Sequence, residues 1–296
     1  MSPESRKVSV QVEGQTLTLS NLDKVLYPAA GFTKAQVIDY YERVAPVLLP
    51  HIASRPVTIK RYPEGVDGQF FFQKNAPKHP DWVPTASIAS PGSTKSRDTI
   101  DYILGGDLPT LIWAANLAAL ELHTPMWRYP SLGKPDLLVF DLDPGQPATV
   151  VQCCAVALEL RPLLEELGLQ SVAKTSGGKG LQLYAPVKNM TSQETSDLAK
   201  ELAERLEQEQ PELVVSRMTK ALRPGKVLID WSQNNSAKTT VAPYSLRARE
   251  RPTVSTPVTW DEVQACKRAA DLVFTADDVV ARVAESGDLF AGTLAT

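Results

Sequence analysis

Hydrophobic and polar positions change period repeatedly along this chain, and each change marks an element. VSVQVEGQTLTL alternates about Gly14 and predicts a hairpin. Behind a capping Thr33, Val37, Tyr41, Val44 and Leu48 recur at helical spacing, so TKAQVIDYYERVAPVLL predicts a helix. RPVTIKRY reads as a strand and GQFFFQKN as a short strand or aromatic loop. LPTLIWAANLAALEL predicts a helix that starts near Pro109 and runs into His123. LLVFDLDPG is a strand, and ATVVQCCAVALELRPLLEELG a helix ending at Gly168, with Cys153 and Cys154 in its core. SVAKT and LQLYAP are strands on either side of SGGKG. A Thr191-x-x-Glu194 capping box opens the next helix. KVLIDW is a further strand, and two short helices capped near Thr259 and Thr275 close the chain. Helices and strands interleave without a βαβ rhythm, repeats or a low-complexity linker. The expected class is α+β, with mixed or antiparallel sheets flanked by helices.

The strand LLVFDLDPG poses a chemical question. Alternation puts Leu138, Phe140 and Leu142 on one face and Leu137, Val139, Asp141 and Asp143 on the other. Pro144-Gly145 then ends the strand. Two carboxylates this close need a cation or a shared proton. KVLIDW presents a third acid, Asp230, again at a strand end. Three such acids would hold two divalent metals about 3.5–4 Å apart, as in polymerases and nucleases. An Asp before Pro-Gly that merely caps a turn is the bland alternative.

Composition narrows the choices. With 296 residues and 43% hydrophobic content, the chain can bury a sizeable core. It reads as one domain over 1–296, divisible into an N-terminal subdomain of about 1–130 and a catalytic one of about 131–296. No apolar run approaches the roughly 20 residues a membrane span needs, and no secretory h-region is visible. Three cysteines and three scattered histidines form neither a disulfide framework nor a zinc pattern, so a reduced, cytoplasmic protein is expected. Net charge is −3, which argues against a polyanion-binding protein. Yet Arg217, Lys220, Arg223, Lys226, Lys238, Arg247, Arg249 and Arg251 face only Asp230 and Glu250 in that stretch, while acids gather in SQETSDLAKELAERLEQEQPE. A local basic surface on an acidic chain suits phosphates held at one site, although a solvated basic face would look the same.

The loop AKTSGGKG follows a strand and frees backbone N–H groups for phosphate oxygens, with Ser176 and Lys179 adding a hydroxyl and a charge. It lacks Walker spacing, and alone it is equally an ordinary glycine hairpin. Arg223, Arg247 and Arg249 are further candidates for triphosphate oxygens.

Taken in order, SNLDKVLYP, FFFQKN, ALELHTPMW, DLLVFDLDPG, TSGGKG, KVLIDW and VAPYSLRAR resemble the polymerase module of bacterial ligase D. That module is a branch of the archaeo-eukaryotic primase superfamily that works with Ku in non-homologous end joining. The resemblance implies a primase-polymerase fold in which Asp141, Asp143 and Asp230 hold two Mn²⁺ or Mg²⁺ ions. It implies that His123, Ser176, Lys179, Arg223, Gln233 and Arg247 engage a nucleoside triphosphate, with ribonucleotides preferred. It further implies that Asn21, Lys24 and Lys34 grip a downstream 5′-phosphate at gaps or broken DNA ends, and that Phe71 and Phe72 stack on template bases. The activity implied is template-directed nucleotidyl transfer in the nucleoid, with Ku and a separate ligase as partners.

Without the resemblance, His123 would pass as a core histidine at the end of an apolar helix, and Lys24 and Lys34 as surface lysines. At most one of Phe71 and Phe72 would be buried if both lie in a strand. No K-x-D-G ligase motif and no histidine-rich phosphoesterase module is present, so the expectation is a stand-alone polymerase or a piece of a longer protein. VFDLDPG also resembles the D-x-D of haloacid-dehalogenase phosphatases or glycosyltransferases, but Pro144 stands where the phosphatase motif has glycine and its following threonine is missing. The remaining rival is a catalytically idle module that only bridges DNA ends.

Overall fold

The structure, a computed structural model, describes residues 7–89 and 99–294. The chain opens with the hairpin of β1 (Lys7–Val12) and β2 (Gln15–Ser20), the ribbon of β3 (Val25–Tyr27) and β4 (Phe32–Thr33), and helix α1 (Lys34–Ile52). Strands β5 (Pro56–Arg61), β6 (Phe71–Gln73), β7 (Thr85–Ala89) and β8 (Thr99–Leu104) lead to helix α2 (Leu108–Asn116) and strand β9 (Ala119–Thr124). Then come β10 (Leu137–Pro144), α3 (Val150–Glu166), β11 (Val172–Thr175), β12 (Leu181–Pro186) and α4 (Ser192–Glu209). Short strands β13 (Val214–Val215), β14 (Val227–Asp230), β15 (Thr240–Val241) and β16 (Pro257–Val258) precede α5 (Trp260–Ala265) and α6 (Ala276–Ser286). Among the described residues no helix is long and apolar enough to cross a membrane.

Two six-stranded sheets organise the molecule. One runs β13-β14-β10-β12-β11-β16, and the other β15-β9-β5-β8-β7 with β6 added beside β5. All strand pairs in these sheets are antiparallel except β13 with β14, because the crossover helices α3 (β10 to β11) and α4 (β12 to β13) link strands that are not neighbours. The second sheet is built mainly from residues before 130, but it recruits β15 from the far half of the chain. Ala242, Tyr244, Leu246 and Phe290 also pack in that first core.

Strand β10 shows how the sequence pattern becomes packing. Leu137 and Val139 enter the core shared with α1, α2 and β9, while Leu138, Phe140 and Leu142 enter the core under α3 and α4. Both faces are buried until Asp141, where the first core ends and the strand's remaining members on that face turn acidic.

The apolar stretch after Pro109 departs from the expected single helix. Helix α2 stops at Asn116, Ala118 takes a left-handed φ of 58°, and residues 119–124 form a strand buried between β15 and β5. A strand covered on both faces is continuously apolar, so periodicity cannot separate it from a buried helix. His123 therefore sits in a strand, two residues after Glu121. Strands β7 and β8 also lie outside the expected set of elements.

The C-terminal segment is tied to α1 through one carboxylate. Asp288 Oδ2 lies 2.8 Å from His51 Nε2, and its Oδ1 accepts from the Tyr244 hydroxyl at 2.7 Å and from the Phe290 N–H at 2.9 Å. Desolvation pushes this carboxyl up, but the His51 hydrogen bond and charge and the Tyr244 hydrogen bond outweigh it and hold it below its ordinary value of 3.8. Its stabilisation is therefore complete above that ordinary value and drains away as pH falls toward the lower folded-state value. Asp288→Asn should cost about 1–3 kcal/mol at pH 7. Melting curves at pH 7 and pH 3 should show the gap between wild type and variant narrowing in acid, and a constant gap would refute the assignment.

Candidate active site

Strand register assembles the acidic centre. Asp141 lies opposite Asp230 across β10 and β14, and opposite Gln182 across β10 and β12, with Asp143 two residues further along. Residues opposite one another share a face, so the three acids stand as neighbours. Burial, then the Asp143 charge, push the Asp141 carboxyl up to about 7, against the pull of a 3.0 Å hydrogen bond donated by Gln182 Nε2. Desolvation in the cleft wall and the Asp230 charge raise Asp143 as well, while Arg223 opposes them. Buried carboxyls raised further by neighbouring acids mark negative charge short of a cation.

Asp230 is placed differently. It is 9% exposed. Its Oδ1 accepts from the Ser232 N–H at 3.0 Å and hydroxyl at 2.5 Å, and its Oδ2 accepts from Gln233 Nε2 at 2.9 Å. The carboxylate thus caps the 3₁₀ turn Trp231–Asn234, and Gln233 faces it rather than the cleft. Among the described residues no group of three His, Cys, Asp or Glu side chains could cage a metal unaided. Asp141 and Asp143 fit a different mode, in which a hard cation takes one or two carboxylates and completes its shell with water and substrate phosphates.

A cleft of about 570 Å³ lies against these acids, drawing on both sheets. Its lining includes Asp141, Asp143, Ser176, Lys179 and Arg223 together with His123, Thr240, Val241, Arg247 and Arg249. Backbone approaches closely at Gly180, which lines the cleft, and at Gly145, which follows the lining residue Pro144. A Cβ on Gly180 would meet the Leu142 carbonyl oxygen at 2.4 Å, and one on Gly145 the Arg223 carbonyl oxygen at 2.0 Å. Ser176 accepts from the Gly178 and Gly180 N–H groups at 3.2 and 3.1 Å, which curls the loop, and its carbonyl accepts from Arg247 Nη1 at 2.7 Å. Arg223 Nε is buried without a hydrogen-bond partner. Arg247 Nε is likewise unpartnered, 3.5 Å from Glu121 without completing a hydrogen bond. Unmet buried donors cost free energy that an anion would recover.

Glu121 anchors the cationic side. Its Oε2 is 2.9 Å from His123 Nε2, Oε1 accepts from the Ala248 N–H at 3.1 Å, and Lys60 Nζ stands 3.8 Å away. Burial alone would raise this carboxyl, but the His123 hydrogen bond and the Arg247, His123 and Lys60 charges hold it at about 2. Burial lowers His123 despite Glu121, so the imidazole is neutral at pH 7. The carboxylate accepts from Nε2–H, which leaves Nδ1 as a hydrogen-bond acceptor.

The remaining predicted residues lie outside the cleft. Lys24, Asn21 and Lys34 meet where α1 begins, through the bonds Lys34 N–H to Lys24 O at 2.8 Å and Lys24 N–H to Asn21 O at 3.1 Å. Lys24 pairs with Glu64 at 2.8 Å. Lys34 is not a surface lysine: it is buried, and Nζ donates to the Ser20 carbonyl at 2.6 Å. Burial, then the Lys24 and Arg61 charges, lower it to about 8. Phe71 and Phe72 are each 48% exposed, because β6 pairs only with β5 and neither of its faces is covered. Phe72 meets His123 edge-on at 5.6 Å, and Phe70, which the sequence reading passed over, extends the aromatic surface under Lys60. Gln182 and Glu121 were also passed over. Their one sequence signal was a polar residue at alternate positions in an apolar strand.

Three comparisons bear on this site. Residues 33–290 match the family model described as LigD, primase-polymerase domain. The chain is 48% identical over 281 residues to the multifunctional non-homologous end joining protein LigD of Mycolicibacterium smegmatis, covering 94% of this chain and 36% of that protein. It is 35% identical over 274 residues to the bifunctional non-homologous end joining protein LigD of Bacillus subtilis, covering 92% of this chain and 43% of that protein. Among solved structures, it matches the polymerase domain of Mycobacterium tuberculosis ligase D in complex with DNA, at a TM-score of 0.87 and 45% identity over 94% of this chain and 98% of that one. The chain therefore spans well under half the length of these curated relatives, and it belongs to the LigD primase-polymerase domain family, with that family's α+β fold.

Proposed function

We propose that this chain is a template-directed nucleotidyltransferase that adds ribonucleotides at DNA gaps and broken ends, using Mn²⁺ or Mg²⁺, in end joining with Ku and a ligase. The carrying observation is one cleft in which two carboxyls raised by burial and neighbouring acids stand with Lys179, Arg223, Arg247 and Arg249. The relatives' names support end joining as the setting, and the solved neighbour's DNA supports the partner.

A divalent cation bound at Asp141 and Asp143, two of them if Asp230 turns from its cap, would neutralise triphosphate charge and acidify the attacking hydroxyl. Arg223 and Arg247 offer forked donors that match phosphate oxygens, and Lys179 a point charge. The Gly177, Gly178 and Gly180 N–H groups are taken up inside the curled loop by the Thr175 and Ser176 hydroxyls, so the loop serves those phosphates through Lys179 rather than through these N–H groups. His123, held by Glu121, presents Nδ1 to a sugar hydroxyl. Phe71 and Phe72 offer bases a stacking surface.

The acid centre separates an enzyme from an idle end-binding module. Asp141→Ala or Asp143→Ala should abolish primer extension, by at least about a hundredfold, while gapped-DNA binding persists. Extension at wild-type rate in either variant would leave the bridging function as the better account.

Sugar choice tests His123. Wild type should favour ATP over dATP on a templated primer, and His123→Ala should shrink that ratio by roughly tenfold, the worth of one hydrogen bond. An unchanged ratio would remove His123 from the ribose.

The 5′-phosphate grip should show a pH signature. A phosphate binds the Lys34 ammonium, faced by Lys24, Arg61 and Glu64, and above pH 7 the phosphate itself is close to doubly charged. Because Lys34 loses its proton near pH 8, affinity for gapped DNA with a 5′-phosphate should decline between pH 7.5 and 9.5. The steepest fall would be about tenfold per unit, while 5′-hydroxyl DNA binds unchanged. Equal pH profiles for the two substrates would clear Lys34 of the role.

A further inference from the structure

A single row of side chains crosses the catalytic sheet perpendicular to its strands. Lys174 lies opposite Gln182 across β11 and β12, Gln182 opposite Asp141 across β12 and β10, and Asp141 opposite Asp230 across β10 and β14. All four therefore share one face and one level of the sheet. Lys174 is fully buried and Gln182 is 3% exposed, although Gln182 still touches the cleft.

The hydrogen bonds along this row run in one direction. Lys174 Nζ donates to Gln182 Oε1 at 2.5 Å and to Ser255 Oγ at 2.7 Å. The Tyr184 hydroxyl lies on the same Oε1 at 3.2 Å. Burial pulls the Lys174 pKa well below its ordinary value, against the charge of Asp141. In the ammonium form, which Asp141 favours, Nζ has no acceptor, so the amide oxygen faces Lys174 and the amide nitrogen faces Asp141. Gln182 Nε2 accordingly donates to Asp141 Oδ1 at 3.0 Å. With the amide reversed, Nε2 would meet Lys174 donor to donor and Oε1 would meet a carboxylate. A buried ammonium whose hydrogen-bond partners are an amide and a hydroxyl is costly to keep. The Tyr184 ring centroid lies 5.3 Å from its Nζ, and the acid whose charge favours it is Asp141, next along the row after Gln182.

We propose that Lys174 and Gln182 are positioning residues for the cation-binding carboxylate: the buried ammonium locks the Gln182 amide, whose N–H fixes Asp141 Oδ1 and leaves Oδ2 to the cation. The proposal rests on Asp141 as a cation ligand and adds the device that orients it. Partners that orient metal ligands typically change metal affinity ten- to a hundredfold when removed.

Titration of the whole chain with Mn²⁺, following unbound Mn²⁺ by electron paramagnetic resonance without nucleotide or DNA, tests this. Gln182→Met keeps the side-chain volume but neither donates nor accepts as an amide does, and it should weaken Mn²⁺ binding by roughly ten- to a hundredfold. Lys174→Met should weaken it less, and the double variant should bind no more weakly than Gln182→Met, since Lys174 acts only through the amide. A folded Gln182→Met protein that melts lower yet binds Mn²⁺ within about twofold of wild type would reduce the row to core structure. Additive losses in the double variant would overturn the relay in favour of a direct charge effect. Asp141→Ala runs alongside. If it binds Mn²⁺ as wild type does, the cation reading of Asp141 fails and the relay with it; if only Gln182→Met is silent, the relay alone fails. Should Lys174→Met not fold, Gln182→Met carries the decision by itself.

Discussion

Everything chemical in this molecule depends on the register of β10 between β12 and β14. An antiparallel pair has a side-chain period of two, so slipping either neighbour by one residue would turn Asp230 or Gln182 to the opposite face. That face is already committed, because Leu138, Phe140 and Leu142 fill the core under α3 and α4. Asn234 reinforces the alignment from the side, bonding both the Val139 N–H at 2.9 Å and the Val139 carbonyl at 2.8 Å. Hydrophobic burial along one half of the strand thus fixes the spacing of charges along the other half. The repulsion among those charges is carried by the core.

The second sheet supplies the opposite charge through one buried carboxylate. Glu121 is a negative group that gathers cations and a donor: Arg247, Lys60 and the neutral His123 all converge on it. Because β9 lies between β5 and β15, Glu121 cannot move without the sheet. This explains how a chain of net charge −3 presents a basic cleft. The acids of α4 are solvated on the far surface, while cations are concentrated where two sheets meet. Field focusing in such a cleft depends on local placement rather than on the sum over the chain.

Legibility from sequence follows the same division. Where a side-chain pattern has a single structural solution, it could be read: the Thr33, Thr191 and Thr259 caps, the alternation of β10 and the faces of β14 all have their expected form. Where a segment is buried on all sides, the pattern loses its period, and β9 merged with α2. That loss carried Glu121 with it, since a lone acid in an apparent apolar helix points to nothing. Asp230 illustrates a subtler gap. Its strand and its face were implied by the pattern, but Ser232 and Gln233, the next residues but one and two, turn its carboxylate into a cap. Sequence places a side chain on a face, and only its neighbours decide where the oxygen atoms point.

That distinction bears on how the acidic centre takes a cation. A preformed cage would have to hold three carboxylates together with nothing between them, and burial already raises Asp141 to about 7 with two neighbouring acids in play. Parking the third carboxylate on hydrogen-bond donors relieves that repulsion while the cleft waits for substrate. Under the proposed function, Asp141 and Asp143 would then offer oxygen atoms to a cation whose shell a triphosphate would complete, and Arg223 and Arg247 would meet the charge that the phosphates add. Cation and nucleotide would enter as each other's ligands. On this account the cost of clustering acids is deferred until the moment the charge to balance it arrives, and the amide of Gln182 keeps one oxygen of Asp141 in place until then.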